Sequence, residues 1–213
     1  MSSLDDHSLD LGPRDIGIKR EINRSESSTI HEIQICGETR VMKLFHGNGD
    51  PGYTPKGRDL NRFRCELNAY RNLHKYGVCK RGFVPFFYGY IDRVDPSAFA
   101  PPLTPFICDQ FQPRAILLEY LPDAERLNCV NYSEALCLYA VDGIKEIHSA
   151  LVHHHDIYPK NMLVVSGSRI IWIDFDVAMT FDNMSSREKE YCKREADLVE
   201  SFGELLACVA SLP

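Results

Sequence analysis

Apolar and polar positions alternate along residues 16–45. "IGIKREI" (16–22) and "TIHEIQI" (29–35) each keep a period of two, and "RVMKLF" (40–45) is a third strand-like run. A period of two is that of a half-buried strand. The polar cluster "NRSESS" and the tight "CGET" around Gly37 separate the runs as turns, so this part predicts an antiparallel meander. The period then changes. After a Gly- and Pro-rich loop, "HGNGDPGYTPKGRD", the residues Leu60, Phe63, Leu67, Tyr70 and Leu73 recur at helical spacing. They predict a helix over about 59–74 with Asp59 as its N-cap.

Two further strands are predicted at "FVPFFYGYI" and "RAILLEYL", with "DPSAFAPPLTPF" between them as a Pro-rich surface loop. A second helix is predicted over 133–150, where Leu136, Tyr139, Ala140, Ile144 and Ile147 share a face. "NMLVV", the turn "SGS" and "RIIWIDF" predict a hairpin. A last helix is predicted over about 185–211, with Val199, Phe202, Leu205, Leu206 and Val209 apolar. Strands precede helices, and the order changes near 119–122. The expectation is an α+β chain of two small lobes with a cleft between them. Its parts are a disordered tail over 1–14, an N-terminal lobe over 15–121 and a C-terminal lobe over 122–213.

Composition narrows the function. A net charge of −6 gives no support to nucleic-acid or membrane-surface binding as the main task. No apolar run approaches the roughly 20 residues of a membrane span. The N-terminal residues lack the basic and apolar parts of a signal peptide, so the expected location is cytoplasmic. The eight cysteines are scattered with no Cys-x-x-Cys pair, which reads as free thiols.

Chemistry concentrates in "HHHDIYPKN" (153–161). Asp156 and Asn161 flank Pro159, which stops a helix from running between them. The three consecutive histidines point different ways and lack a second ligand cluster, so a zinc site is not the expectation. Lys43 sits in an apolar strand, Glu66 on the following helix, and Asp174 and Asp176 in "IDFD" at the end of an apolar strand. In this order and on these elements, the residues resemble the protein-kinase-like superfamily. The pattern is similar to compact fungal-type kinase-like proteins and related to the aminoglycoside and choline kinases.

The resemblance implies a two-lobed kinase-like fold: an N-terminal antiparallel sheet plus one helix, and a truncated, mainly helical C-terminal lobe. It implies ATP and Mg²⁺ as cofactors and a hydroxyl acceptor, protein or small molecule. By resemblance, Lys43 meets the α and β phosphates and pairs with Glu66. Leu118, Glu119, Tyr120 and Leu121 form the adenine-binding hinge. Asp156 and Lys160 are catalytic, and Asn161, Asp174 and Asp176 hold the metal.

The chain departs from that pattern in three places. "NRSESSTI" has no glycine, so Cβ atoms restrict the approach of its backbone to a phosphate. His155 stands where the family has an arginine, and Asp176 where it has a glycine. Three functions stay open: a protein Ser/Thr phosphotransferase, a small-molecule kinase, and an inactive nucleotide-binding pseudokinase scaffold. Asp197 or Glu200 on the last helix is the expected anchor of the loop.

Overall fold

The computed structural model describes residues 7–210, with side chains up to Gly203. The expectations for 1–6, for Ser211 and for the side chains of Leu205, Leu206 and Val209 lie outside the described residues. The chain forms two compact units. One holds the chain up to Tyr53 with Asn61–Phe63 and Phe87–Tyr120. The other holds Thr54–Leu60, Arg64–Phe86 and the chain from Leu121 on. Residues 64–86, which the expected division at 121/122 puts in the N-terminal lobe, group with the second unit.

The first unit is a five-stranded antiparallel sheet. Its strands are β1 (Ile16–Arg24), β2 (Ser28–Ile35), β3 (Glu38–Phe45), β4 (Phe87–Ile91) and β5 (Arg114–Glu119), in the order β1-β2-β3-β5-β4. In the register, Lys43 lies opposite Ile30 on one side and Ile116 on the other. Side chains alternate across a strand, so Met42 and Leu44 leave Lys43 on the opposite face. Their face carries Ile33, Ile35, Ala115 and Leu117 in one apolar core.

That core is closed by segments predicted to be open. The insert before β5 runs over the surface but sends Leu103 and Phe106 into the core, beside Val94 just before it. Asp95 accepts the Ser97 amide (2.9 Å) and starts a 3₁₀ turn at Pro96. The Asp109 carboxylate accepts from Gly47 N and His46 Nδ1, each at 2.9 Å, and the His46 ring stacks on Phe106. The sequence reading missed this because prolines stop helices and ladders without keeping apolar side chains out of a core. The expected disordered tail is likewise bound from His7 onward. Leu9 N donates to Tyr90 O (2.8 Å) and Tyr90 N to His7 O (2.9 Å).

The second unit is mainly helical. The first helix, α1 (Arg62–Lys75), begins three residues later than predicted. Asp59, three residues before it, holds the Arg64 guanidinium, one contact being 2.7 Å. The short α2 (Val78–Arg81) follows. After β6 (Glu125–Arg126) comes α3 (Glu134–Ser149), capped by Ser133, whose Oγ accepts the Leu136 amide. Then come β7 (Val152–His153), β8 (Met162–Val165), β9 (Arg169–Trp172), β10 (Met179–Thr180) and α4 (Ser186–Ala210). Strands β6, β8 and β9 form one small sheet, while β7 and β10 pair separately.

A reciprocal capping box starts α4. Ser185 N donates to the Glu188 carboxylate, and Ser185 Oγ accepts from Arg187 N. Helix α3 lies against α4 and β9. Gly143 permits the approach to β9, since a Cβ there would stand 2.8 Å from the Trp172 ring. Trp172 is fully buried and donates its indole N–H to Ala140 O (3.1 Å), which satisfies its only polar atom. The seven cysteines with described side chains are free thiols. No described helix is long and apolar enough to cross a membrane.

Candidate active site

Residues 153–161 form a bent loop between β7 and β8. Pro159 opens a 3₁₀ turn, Pro159–Asn161, that leads straight into β8. His155 takes a left-handed conformation (φ 69°), as does Asp174 at the end of the β9 stretch (φ 67°). A non-glycine residue adopts this region at a cost, so surrounding bonds must hold it there.

Those bonds are visible. His154 is fully buried, and its Nε2 donates to Ile173 O (3.0 Å) while its Nδ1 accepts from Asp156 N (3.3 Å). This pattern requires the neutral imidazole with its proton on Nε2. Burial pushes the His154 pKa down, which agrees with that form. The ring also packs on Phe175, with centroids 4.6 Å apart. Asn161 Nδ2 donates to Asp156 O (2.8 Å), and Ile173 N donates to Asn161 O (3.0 Å). The loop and the start of "IDFD" are thereby tied to each other.

Glu195 anchors the loop from α4. Its carboxylate accepts His155 N (2.7 Å), His154 N (3.1 Å) and His148 Nε2 (2.8 Å). Burial opposes ionisation of Glu195, but the His148 hydrogen bond and the neighbouring imidazoles outweigh it and hold the carboxyl below its usual range. The expected anchors, Asp197 and Glu200, are exposed. The missed signal was positional. Cys192, Ala196 and Val199 mark the buried stripe of α4, and Glu195 is the acid lying within that stripe.

In the second unit, Lys160 pairs with one of the predicted acids. Lys160 Nζ lies 2.8 Å from Asp156 Oδ2. The Lys160 pKa is raised, first by that hydrogen bond and then by the charges of Asp156, Asp174 and Asp176. All three carboxylates therefore act on one ammonium group. Asp176 is buried and also acts on Cys65 of α1, whose thiol is pushed up to about 11 by burial and by Asp59 and Asp176. Glu66 is next to Cys65 and 1% exposed. One turn further along, the Tyr70 ring meets Phe175 edge to face (5.4 Å). Leu121 opens the chain's return to this unit.

Lys43, Leu118, Glu119 and Tyr120 belong to the first unit. Lys43 is 4% exposed, with its ammonium 5.2 Å from the centre of the Phe45 ring. Glu119 lies opposite Arg40 at the end of β5, and the Tyr120 hydroxyl accepts from Arg20 (3.3 Å). In the β1–β2 turn, Ser25 Oγ accepts the amides of Ser27 (3.3 Å) and Ser28 (3.1 Å).

Two carboxylates and one amide oxygen suit a hard cation that keeps several of its waters. Asn161 commits its amide nitrogen to Asp156 O, so Oδ1 is the side-chain atom that would meet a cation. Asp174 and Asp176 supply the negative charge. The residues present thus fit Mg²⁺ in chemistry. Among the described residues, no three His, Cys, Asp or Glu side chains gather to hold a metal. No protein-family model matches the chain, and no curated protein matches it.

Proposed function

We propose that the protein is an ATP- and Mg²⁺-dependent phosphotransferase of protein-kinase-like type. The acceptor is a hydroxyl, with protein Ser/Thr side chains as the first class to test. One observation carries this: Lys160 stands at 2.8 Å from Asp156 under the combined charge of Asp156, Asp174 and Asp176. A lysine paired with an aspartate in a rigid loop, and feeling the charge of two further acids, suits a reaction in which phosphoryl charge must be neutralised and a hydroxyl positioned.

The roles are those that the resemblance implies. The acceptor oxygen bonds to the γ-phosphorus, the bond from that phosphorus to the β–γ bridging oxygen breaks, and ADP leaves. Asp156, half-buried and held through its backbone, orients the hydroxyl and accepts its proton. Lys160 is freed from Asp156 to meet the transferred phosphoryl group. Asn161, Asp174 and Asp176 hold Mg²⁺, which when bound neutralises phosphate charge. Lys43 is assigned to the α and β phosphates, Glu66 to its support, and the backbone of 119–121 with Leu118 to adenine.

A second reading is a nucleotide-binding scaffold without turnover. It is favoured by the β1–β2 turn, where Ser25 Oγ already occupies two amides that a glycine loop would offer to phosphate. Purified protein with γ-labelled ATP and Mg²⁺ tests both. Label on protein supports the first acceptor class, and label on an added small-molecule alcohol moves the assignment to a small-molecule kinase. ATP binding without turnover supports the scaffold. Saturating ATP should add about 2.7 kcal/mol of stability at a hundredfold excess over Kd. An unchanged melting curve together with no heat of binding overturns every nucleotide reading.

A further inference from the structure

The N-terminal segment behaves as a ligand of the sheet. Strand β4 is an edge strand, and an open edge presents unpaired N–H and C=O groups. Residues 7–9 fill that edge as a short parallel strand, with Ser8 bridged to Tyr90. Two backbone bonds hold it: Leu9 N to Tyr90 O and Tyr90 N to His7 O. Alternate side chains supply the rest. The His7 ring meets Phe87 edge to face at 5.3 Å, and Leu9 and Leu11 pack on the apolar core. Ser8 and Asp10 between them are exposed.

The receiving edge is shaped for this segment. Gly89 has φ 141°, and a Cβ there would stand 2.5 Å from His7 O and 2.9 Å from Leu9. Any other residue at Gly89 would block the approach. Main-chain pairing with alternate side chains in pockets is how an extended peptide adds to a sheet edge. What links this segment to the sheet is a short connector. Asp15 N and Ile16 N both donate to Gly12 O, and the Asp15 carboxylate accepts Gly12 N. For residues 7–11 to leave, the two Tyr90 bonds and the side-chain packing must open, and a docked segment from another copy would restore both.

We propose that residues 7–11 are an exchangeable strand and that the outer edge of β4 docks this segment from a second copy of the chain. Every contact made within one chain is available between two, so exchange conserves them all and costs only the freedom lost on association. The intramolecular segment competes at an effective concentration in the millimolar range, so exchange grows with protein concentration. The inference is independent of phosphotransfer, since none of residues 7–11 and none of the β4 residues that receive them is assigned to that reaction.

Two full-length copies with different affinity tags test it, one carrying Ser8→Cys and the other Tyr90→Cys. They are mixed at about 0.5 mM, near the effective concentration of a short tether, under mild oxidation. Copies without the added cysteines set the background from the native thiols. The expected result is a disulfide-linked heterodimer above background. Adding Leu9→Asp to the Ser8→Cys copy should lower its yield by about tenfold or more, because a charge would enter the core position. No heterodimer above background, or a yield that ignores Leu9→Asp, overturns the proposal.

Discussion

Glu195 Oε1 accepts the backbone N–H of His155 at 2.7 Å. A carboxylate on the last helix thereby holds a loop residue in a left-handed conformation, and through His154 N it holds the neighbouring peptide as well. Glu195→Ala leaves two loop amides and His148 without their buried acceptor. Breaking a buried charged contact in this way costs on the order of 3–5 kcal/mol. Urea denaturation should show that loss. If the loop loosens before the whole fold does, amide exchange at His154 and His155 will rise more than exchange in β2 and β3. Equal exchange in the loop and the sheet would argue against a local anchor.

Asp156 and Asp174 should fail in different ways. Asp174→Asn removes a negative ligand for a hard cation, so it should weaken Mg²⁺-dependent ATP binding and turnover together. Asp156→Asn should leave ATP affinity nearly unchanged and lower transfer by roughly 10²- to 10⁴-fold, as loss of a positioned base does. Paired ATP titrations and rate assays separate them. Full activity in the Asp156 variant removes it from the catalytic role.

Acid should destabilise the fold at mild pH. His154 and His153 both have pKa values pushed down from 6.5, in each case chiefly by burial. The unfolded chain then binds protons that the folded chain refuses. Stability is full above the unfolded value of about 6.5 and falls as pH drops below it, by up to about 1.4 kcal/mol per pH unit for each buried imidazole. Urea midpoints between pH 7.5 and 5.5 measure the slope, and His154→Phe should flatten it. Glu195 adds a loss at lower pH, because its depressed carboxyl favours folding above the ordinary glutamate range and loses that effect as pH falls through its folded value.

The insert before β5 should behave as core. Leu103 and Phe106 are no more than 1% exposed. Leu103→Ala should cost about 2–5 kcal/mol and Phe106→Ala about 3–5 kcal/mol. Substitutions in a true surface loop stay within about 0.5 kcal/mol. Chemical denaturation of the two variants decides between these ranges.

Nucleotide binding should depend on Lys43. Lys43→Met keeps an apolar stem of similar length on β3 but removes a buried charge, so the variant's own melting temperature without ligand is the baseline. The stabilisation by ATP and Mg²⁺ should shrink markedly. A full ATP-induced shift in this variant would remove Lys43 from the nucleotide site.

Much of the local structure was written in periodicity. The alternation in 16–45 set β1 to β3, the 3.6-residue recurrence of Leu136, Ala140, Ile144 and Ile147 set α3, and Pro159 kept the Asp156 to Asn161 loop from becoming helix. These are short-range constraints, which steric and solvation rules read from neighbouring residues alone. The expected site of Asp156, Lys160, Asp174 and Asp176 rests on the spacing of a known pattern. The action of the three aspartates on the Lys160 ammonium depends on the fold that pairs β8 with β9. Three features lay beyond local rules: the placement of Glu195 under the loop, the burial of Leu103 and Phe106, and the docking of residues 7–9 on β4. Each joins residues more than 35 positions apart or turns on which face of an element meets the core. Local composition cannot specify that. Glu195 had to be ionised, buried and opposite two peptide N–H groups at once, and only the packing of α4 against α3 brings those conditions together.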